Sequence, residues 1–75
     1  MNPIDLLNEA KNQRMFLEAD KKEIEAIEEE LKTGDTSRKL RLEELFELVD
    51  SHIKWLETHA QEMSEAARLL RRAFA

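Results

Sequence analysis

The feature that most constrains this chain is its shortage of residues that break helices. Among 75 residues there is one glycine and one proline, while 39% of the residues are charged. Pro3 stands at the N-terminus, where proline suits the first position of a helix, and Gly34 lies in the only other break, the segment TGDT. The sequence therefore predicts an all-α chain with two long helices, residues 3–32 and 36–74. A connection this short makes the helices antiparallel neighbours, in a single helical-hairpin domain over residues 1–75.

Both predicted helix starts carry residues that can cap them. Asn2 can accept hydrogen bonds from the free amides of the first turn, and Asp35 or Thr36 can do the same for the second helix. Gly34 is free to take the left-handed conformation that closes the first helix. The helix boundaries are therefore predicted from local chemistry as well as from periodicity.

Size and composition favour an oligomer. A domain this small hides only about 60% of its unfolded surface and usually needs disulfides, a metal or self-association to be stable. The chain has no cysteine, which excludes disulfides and thiolate metal sites, and we expect no cofactor. No apolar run approaches the roughly 20 residues of a membrane span, and the N-terminus MNPIDLLNEA lacks the pattern of a signal peptide. We therefore expect a cytoplasmic homodimer with no membrane partner.

Charge is distributed unevenly along the chain. The net charge is −5, and residues 1–37 carry ten acidic against five basic residues, whereas residues 38–75 carry seven of each. An acidic half repels the phosphate backbone of nucleic acid, which is therefore not an expected partner. Near the C-terminus, Arg68, Arg71 and Arg72 form a basic cluster that either contacts nucleic acid or complements the negative end of the helix dipole.

The first helix carries a seam that is apolar at both ends and polar in the middle. Its apolar heptad row is Ala10, Leu17, Ile24 and Leu31. The companion row, three positions on, is Leu6, Gln13, Asp20 and Ile27. This pattern predicts packing against the second helix, with the apolar contact interrupted at Gln13 and Asp20.

The second helix has an apolar face that one partner helix cannot cover. Its unbroken heptad row is Leu42, Val49, Leu56, Met63 and Leu70. Flanking apolar residues widen the face to roughly 160°, against a little over 100° for an ordinary surface helix. If residues pair across the hairpin at numbers that sum to about 68, the last turns also overhang the first helix. We therefore predict that two hairpins dimerise into a four-helix bundle. The predicted dimer interface includes Leu56, Met63, Leu69, Leu70 and Phe74.

Two histidines fall in the polar middle of this coiled coil. His52 and His59 are seven residues apart, in a row that faces the first helix. The register pairs His52 with Asp20 and His59 with Gln13, as polar core layers that fix the alignment of the helices. An alternative is a pH-responsive switch, in which the imidazoles gain charge as the pH falls. A metal site is disfavoured, because two ligands on one helix normally stand three or four residues apart.

Residues at the edges of these seams are candidates for contact with another protein. The apolar ones are Met15, Phe16, Leu48 and Trp55, and the charged ones are Arg68, Arg71 and Arg72. Tryptophan is among the residue types most enriched at binding hot spots, although its position favours a place in the dimer interface over an anchor for another protein. Both interpretations predict that Trp55 is buried, but against different chains.

Catalysis has little support in the sequence. There is no cysteine, tyrosine or glycine-rich loop, and Ser51 and His52, as consecutive helical residues, point about 100° apart. The layout resembles several groups of small helical hairpins, namely plasmid copy-number RNA-binding bundles, co-chaperones of bacterial secretion systems, and phage proteins that inactivate host regulators, such as quorum-sensing anti-activators. This architectural resemblance implies a non-enzymatic binding module. We expect one that inhibits or regulates a partner protein, with an RNA- or DNA-binding hairpin or a secretion-type co-chaperone as alternatives.

Overall fold

Three helices make up the protein. The computed structural model describes residues 1–74, and over this range the chain is helical without strands. Helix α1 spans Pro3–Lys32, α2 spans Lys39–Thr58 and α3 spans Ala60–Phe74. Helices α2 and α3 follow one another back along α1, so α1 packs against both. None of these helices has the length and apolar character needed to cross a membrane.

The first helix begins and ends where the sequence predicts. At its start, the Asn2 side chain accepts a hydrogen bond from the Asp5 amide at 2.9 Å, and Pro3 follows the cap. At its end, Gly34 has φ 90°. The Gly34 amide donates to the Leu31 carbonyl at 3.0 Å, as expected of the Schellman motif that ends many helices. The prediction of a helix over residues 3–32, with Asn2 as its cap and Gly34 as its stop, is confirmed.

The second arm begins later than predicted. The sequence placed its start at residue 36 with Asp35 or Thr36 as the cap, but α2 begins at Lys39 and no side chain caps it. Asp35 instead accepts a hydrogen bond from the Ser37 amide at 2.9 Å. This bond lowers the pKa of Asp35 below its ordinary value. A short side chain that binds a backbone amide two residues on stabilises a turn in competition with the helix, so the prediction was wrong by three residues.

The second arm is also not one helix. An uninterrupted helix over residues 36–74 was predicted, whereas His59 separates α2 from α3 with φ −101° and ψ 7°. The His59 amide still donates to the Trp55 carbonyl at 3.1 Å, and the Met63 amide donates to the His59 carbonyl at 2.9 Å. The His59 ring reaches that same Trp55 carbonyl, with Nδ1 at 2.8 Å. Because one carbonyl serves two donors, the helix departs from ideal geometry for one residue.

The buried core is small and lies at the two ends of the α1 seam. Five residues are at most 4% exposed, and they are Leu6, Ala10, Ile27, Leu45 and Ala66. Leu45 and Ala66 are separated by three heptads, so the heptad phase of the second arm continues across His59. The apolar ends of the predicted seam are therefore present as packed core.

The molecule is a thin rod. Its extents are 55 × 20 × 14 Å and its radius of gyration is 16.8 Å. A compact domain of this length has a radius of gyration of about 11 Å. The shortest dimension is close to the roughly 10–12 Å diameter of a single helix with its side chains. No further layer within residues 1–74 covers the side of α2 and α3 that faces away from α1.

Candidate functional site

A chain of hydrogen bonds occupies the polar middle of the hairpin. His52 on α2 lies between two side chains of α1, with Nδ1 at 2.6 Å from Gln13 Oε1 and Nε2 at 3.4 Å from Asp20 Oδ2. Gln13 in turn donates from Nε2 to Glu9 Oε1 at 3.0 Å. The His52 and Asp20 side chains are 16% and 17% exposed, so this layer is shielded from water but not fully buried.

The direction of these hydrogen bonds indicates which ring nitrogen of a neutral His52 carries the proton. The bond from Gln13 to Glu9 turns the amide so that its oxygen faces the imidazole, and an oxygen only accepts. The proton of a neutral His52 therefore sits on Nδ1. Among residues 1–74, Asp20 Oδ2 is buried without a hydrogen-bond partner, and a second imidazole proton on Nε2 would point toward it. The heptad analysis missed Glu9. It lies four residues before Gln13, and this spacing on a helix could have indicated it as a hydrogen-bond partner of Gln13.

The predicted pairing of His59 with Gln13 is not found, because Gln13 binds His52 instead. The His59 ring stacks on Trp55, with centroids 4.1 Å apart and planes inclined by 19°. Its Nδ1 lies 2.8 Å from the Trp55 carbonyl, which only accepts, so this nitrogen carries a proton. The two histidines therefore have different surroundings. His52 joins the two arms, whereas His59 acts within the second arm alone.

An aromatic strip lies along one side of the hairpin, and we define it by Phe16, Leu48, His52 and Trp55. The Phe16 ring of α1 contacts the His52 ring of α2, with centroids 5.6 Å apart. Leu48, His52 and Trp55 follow one another at spacings of four and three residues, which places them on one side of α2. Phe16 is 51% exposed and Leu48 40% exposed, while Trp55 is partly covered by His59.

The fourth predicted apolar anchor, Met15, is not part of this strip. It is 58% exposed, but as the residue before Phe16 it points about 100° away around α1. Met15 therefore lies on a neighbouring face of the same helix.

Ion pairs close the loop end of the hairpin. Glu23 accepts from Arg41 at 2.7 Å and from Arg38 at 3.1 Å, and Glu30 accepts from Arg38 at 3.1 Å. The hydrogen bond from Arg41 holds the pKa of Glu23 below its ordinary value, and the same pair raises the pKa of Arg41 further. All four side chains are about one-third exposed or more, so solvent screens these pairs. The cluster joins α1 to α2 without forming a pocket suited to chemistry.

The C-terminal part of α3 is the most exposed part of the second arm. Arg68, Arg71 and Arg72 are exposed, and none of them forms an ion pair within residues 1–74. Leu69 is 54% exposed and Phe74 84% exposed. The overhang predicted from the register is thus present at its end, although it is shorter than expected, because Ala66 is buried. The other predicted dimer-interface residues, all half-buried, are Leu56, Met63 and Leu70.

Within the described residues there is no group of three or more histidine, cysteine or acidic side chains placed to hold a metal ion. Comparisons with protein-family models, with curated proteins and with solved structures found no match. The function must therefore be argued from the surface of the molecule.

Proposed function

We propose that this chain is a non-enzymatic protein-binding module that works as a dimer of hairpins and inhibits or regulates a partner protein. The observation that supports this proposal is the aromatic strip. An exposed phenylalanine and an exposed leucine lie beside a tryptophan that is held in place by stacking. Aromatic anchors that are ordered before binding lose little entropy when a partner covers them.

The shape of the strip indicates what it binds. Phe16 belongs to α1, whereas Leu48 and Trp55 belong to α2, so the strip crosses the groove between the two helices. An amphipathic helix that lays its apolar face into such a groove is a common mode of recognition. A partner helix bound there would be withheld from its other contacts, which is how a module without catalytic groups inhibits a protein.

The rigidity of the strip comes from the polar layer beneath it. Phe16 rests on His52, which Gln13 binds from α1 and which lies beside Asp20. Trp55 rests on His59, which is bonded to the Trp55 carbonyl. The histidines therefore support the proposed binding surface rather than forming a reactive site of their own.

The test is affinity capture from a bacterial lysate, with and without nuclease, using the wild-type chain and the Phe16→Ala and Trp55→Ala variants. We expect one protein to co-elute in stoichiometric amount, to survive nuclease and to be lost with both variants. Leu40→Ala is the matched control, because Leu40 is 75% exposed and lies in the first turn of α2, away from the strip. Loss of capture in the Leu40 variant as well would mean that the strip is not the anchor.

Nucleic-acid binding is the second candidate, supported by the exposed arginines 68, 71 and 72. In the same experiment it predicts that nucleic acid co-elutes and that nuclease removes everything else. Binding would then weaken steeply with salt and depend on the arginines rather than on Trp55. That outcome would contradict the protein-binding proposal.

A further inference from the structure

A second apolar surface, on the opposite side of the second arm from the aromatic strip, is only partly covered by α1. We call it the outer stripe. It consists of two heptad rows. One is the half-buried Leu42, Val49, Leu56, Met63 and Leu70; the other is Phe46, Ile53, Ala60, Ala67 and Phe74, of which all but the half-buried Ala67 are exposed. Phe46 is 52% exposed, Ile53 40% and Phe74 84%. The rows alternate at spacings of four and three residues, which is the pattern of a coiled-coil seam.

The surface area of the chain matches what a dimer interface would remove. The chain exposes 5763 Å² for a mass of 8.8 kDa. A compact monomer of that mass exposes about 4,800 Å², which leaves an excess of about 1,000 Å². A standard protein–protein interface buries about 800 Å² on each partner. One additional helical surface against the outer stripe therefore accounts for the excess.

The outer stripe is complementary to itself when two copies run antiparallel. In an antiparallel coiled coil, residues of one row lie opposite residues of the other row of the partner. Here all ten residues are paired if the residue numbers of each pair, one from each copy, sum to about 116. The resulting pairs are Leu42–Phe74, Phe46–Leu70, Val49–Ala67, Ile53–Met63 and Leu56–Ala60. The central pair joins the large Leu56 to the small Ala60, on either side of the axis and next to the break between α2 and α3 at His59. A two-fold axis beside residue 58 places α2 of one copy against α3 of the other.

Charge along the edge of the stripe favours the same orientation. The residues that flank the stripe at heptad spacing are Glu43, Asp50, Glu57, Ser64 and Arg71. Their sign changes from negative to positive along the second arm. An antiparallel pair therefore brings Arg71 of one copy close to Glu43 of the other at both ends, whereas a parallel pair would leave these two residues far apart.

We propose that two copies of this chain associate through their outer stripes, antiparallel, with α2 of each copy packed on α3 of the other. This inference rests on the dimer named in the proposed function and specifies its surface and orientation. It leaves the aromatic strip of each copy exposed, so one dimer presents two strips. Leu69, predicted from sequence as a dimer contact, is outside this interface, because it lines the groove beside Met1, Pro3 and Leu6 on the side of α1.

Cysteine cross-linking tests the orientation, because the chain has no cysteine of its own. We expect Glu57→Cys, near the axis, to form a disulfide-linked dimer by itself. Glu43→Cys alone and Arg71→Cys alone should not cross-link, whereas an equimolar mixture of the two should. Failure of the Glu43→Cys and Arg71→Cys mixture to cross-link, while the molar mass stays that of a dimer, would overturn the orientation.

Molar mass by sedimentation or light scattering tests the surface. We expect the wild-type chain to be a dimer, and Phe46→Glu to shift the mass to that of a monomer without loss of helicity. Leu48→Glu is the matched control, since Leu48 is 40% exposed but belongs to the aromatic strip, and it should leave the dimer intact. A wild-type monomer at all concentrations, or a dimer lost only in the Leu48 variant, would overturn the inference. Capture of a partner at the aromatic strip is measured separately, so failure of either proposal can be recognised.

Discussion

The two sides of the second arm differ in how much of their apolar surface the chain itself buries. On the side toward α1, Leu45 and Ala66 are buried and His52 is bonded across to α1. On the outer stripe, side chains just as apolar, such as Phe46 and Ile53, remain 40% exposed or more. The same heptad repeat thus forms two seams. We call the side packed against α1 the finished seam, and the partly exposed outer stripe the unfinished seam. A hairpin of two helices has only one neighbour for each arm, so a face wider than one seam stays partly exposed.

The largest loss of stability is expected when a buried side chain of the finished seam is truncated. Leu45 is fully buried, so Leu45→Ala should lower the free energy of unfolding by about 2–5 kcal/mol, as for other leucines cut from a core. Phe46→Ala, one position on, should act differently. Its loss of stability should depend on protein concentration, because in the proposed dimer it weakens association rather than the hairpin. Urea denaturation at two concentrations separates the two effects, and equal behaviour of both variants would remove the distinction between the seams.

Removing His52 probes the polar layer of the finished seam. His52→Ala leaves Gln13 Oε1 without its partner across the hairpin; an unsatisfied polar group costs about 1–3 kcal/mol when it is buried, and less in this half-buried layer. We expect a lower midpoint of urea denaturation and loss of the contact with Phe16. Gln13→Ala is the informative companion, since it removes the hydrogen-bond partner of His52 and leaves the imidazole and its contact with Phe16 in place. A stability for His52→Ala equal to that of the wild type would show that the layer contributes nothing to the hairpin.

A smaller effect is expected at His59. In His59→Ala the Trp55 carbonyl keeps only its backbone donor, and alanine favours the helix, so α2 and α3 should join into one helix. The free energy of unfolding should change little, because the lost stacking and the gained helix propensity oppose each other. Carbon chemical shifts of residues 57–63 measure the change directly. Non-helical shifts that persist at residue 59 would mean that the side chain is not the cause of the break.

The smallest effect concerns the exposed ion pairs at the loop end. The pKa of Glu23 is lowered in the folded protein, so its contribution to stability is present above the ordinary pKa of glutamate and is lost as the pH falls through the lowered value. Glu23→Gln should therefore be slightly less stable than the wild type at pH 7 and equal to it at strongly acidic pH. High salt should reduce the difference at pH 7 as well. Denaturation curves at the two pH values, with and without salt, provide the measurement.

The parts of the fold that the sequence predicted are those that depend on one residue or on strict periodicity. Gly34 and Asn2 define α1 because each has a conformation or a bond that few other residues supply. The heptad rows likewise predicted which ends of the seam are buried. The late start of α2 and the break at His59 could not be read from periodicity. Both depend on a side chain that bonds to the nearby backbone, and such bonds compete locally with the helix.

The sequence predicted where the two histidines of the candidate site lie, but not all of their hydrogen-bond partners. The register placed His52 and His59 on the face toward α1, and His52 does lie beside Asp20. It could not say that Gln13 would bind His52, because the choice depends on which imidazole the Gln13 side chain reaches in the packed hairpin. Whether the aromatic strip binds a protein remains a prediction from its exposure and shape.

The stacking of Trp55 on His59 makes the protein its own spectroscopic probe. Trp55 is the only tryptophan, and its ring centroid is 4.1 Å from that of an imidazole at the junction of two helices. Indole emission responds to the distance and charge of a stacked ring and to the water around it. Binding of a partner at the strip, straightening of the second arm, or charging of His59 would each alter the emission of this single fluorophore. Events at the junction can therefore be followed in the unlabelled wild-type chain, in real time.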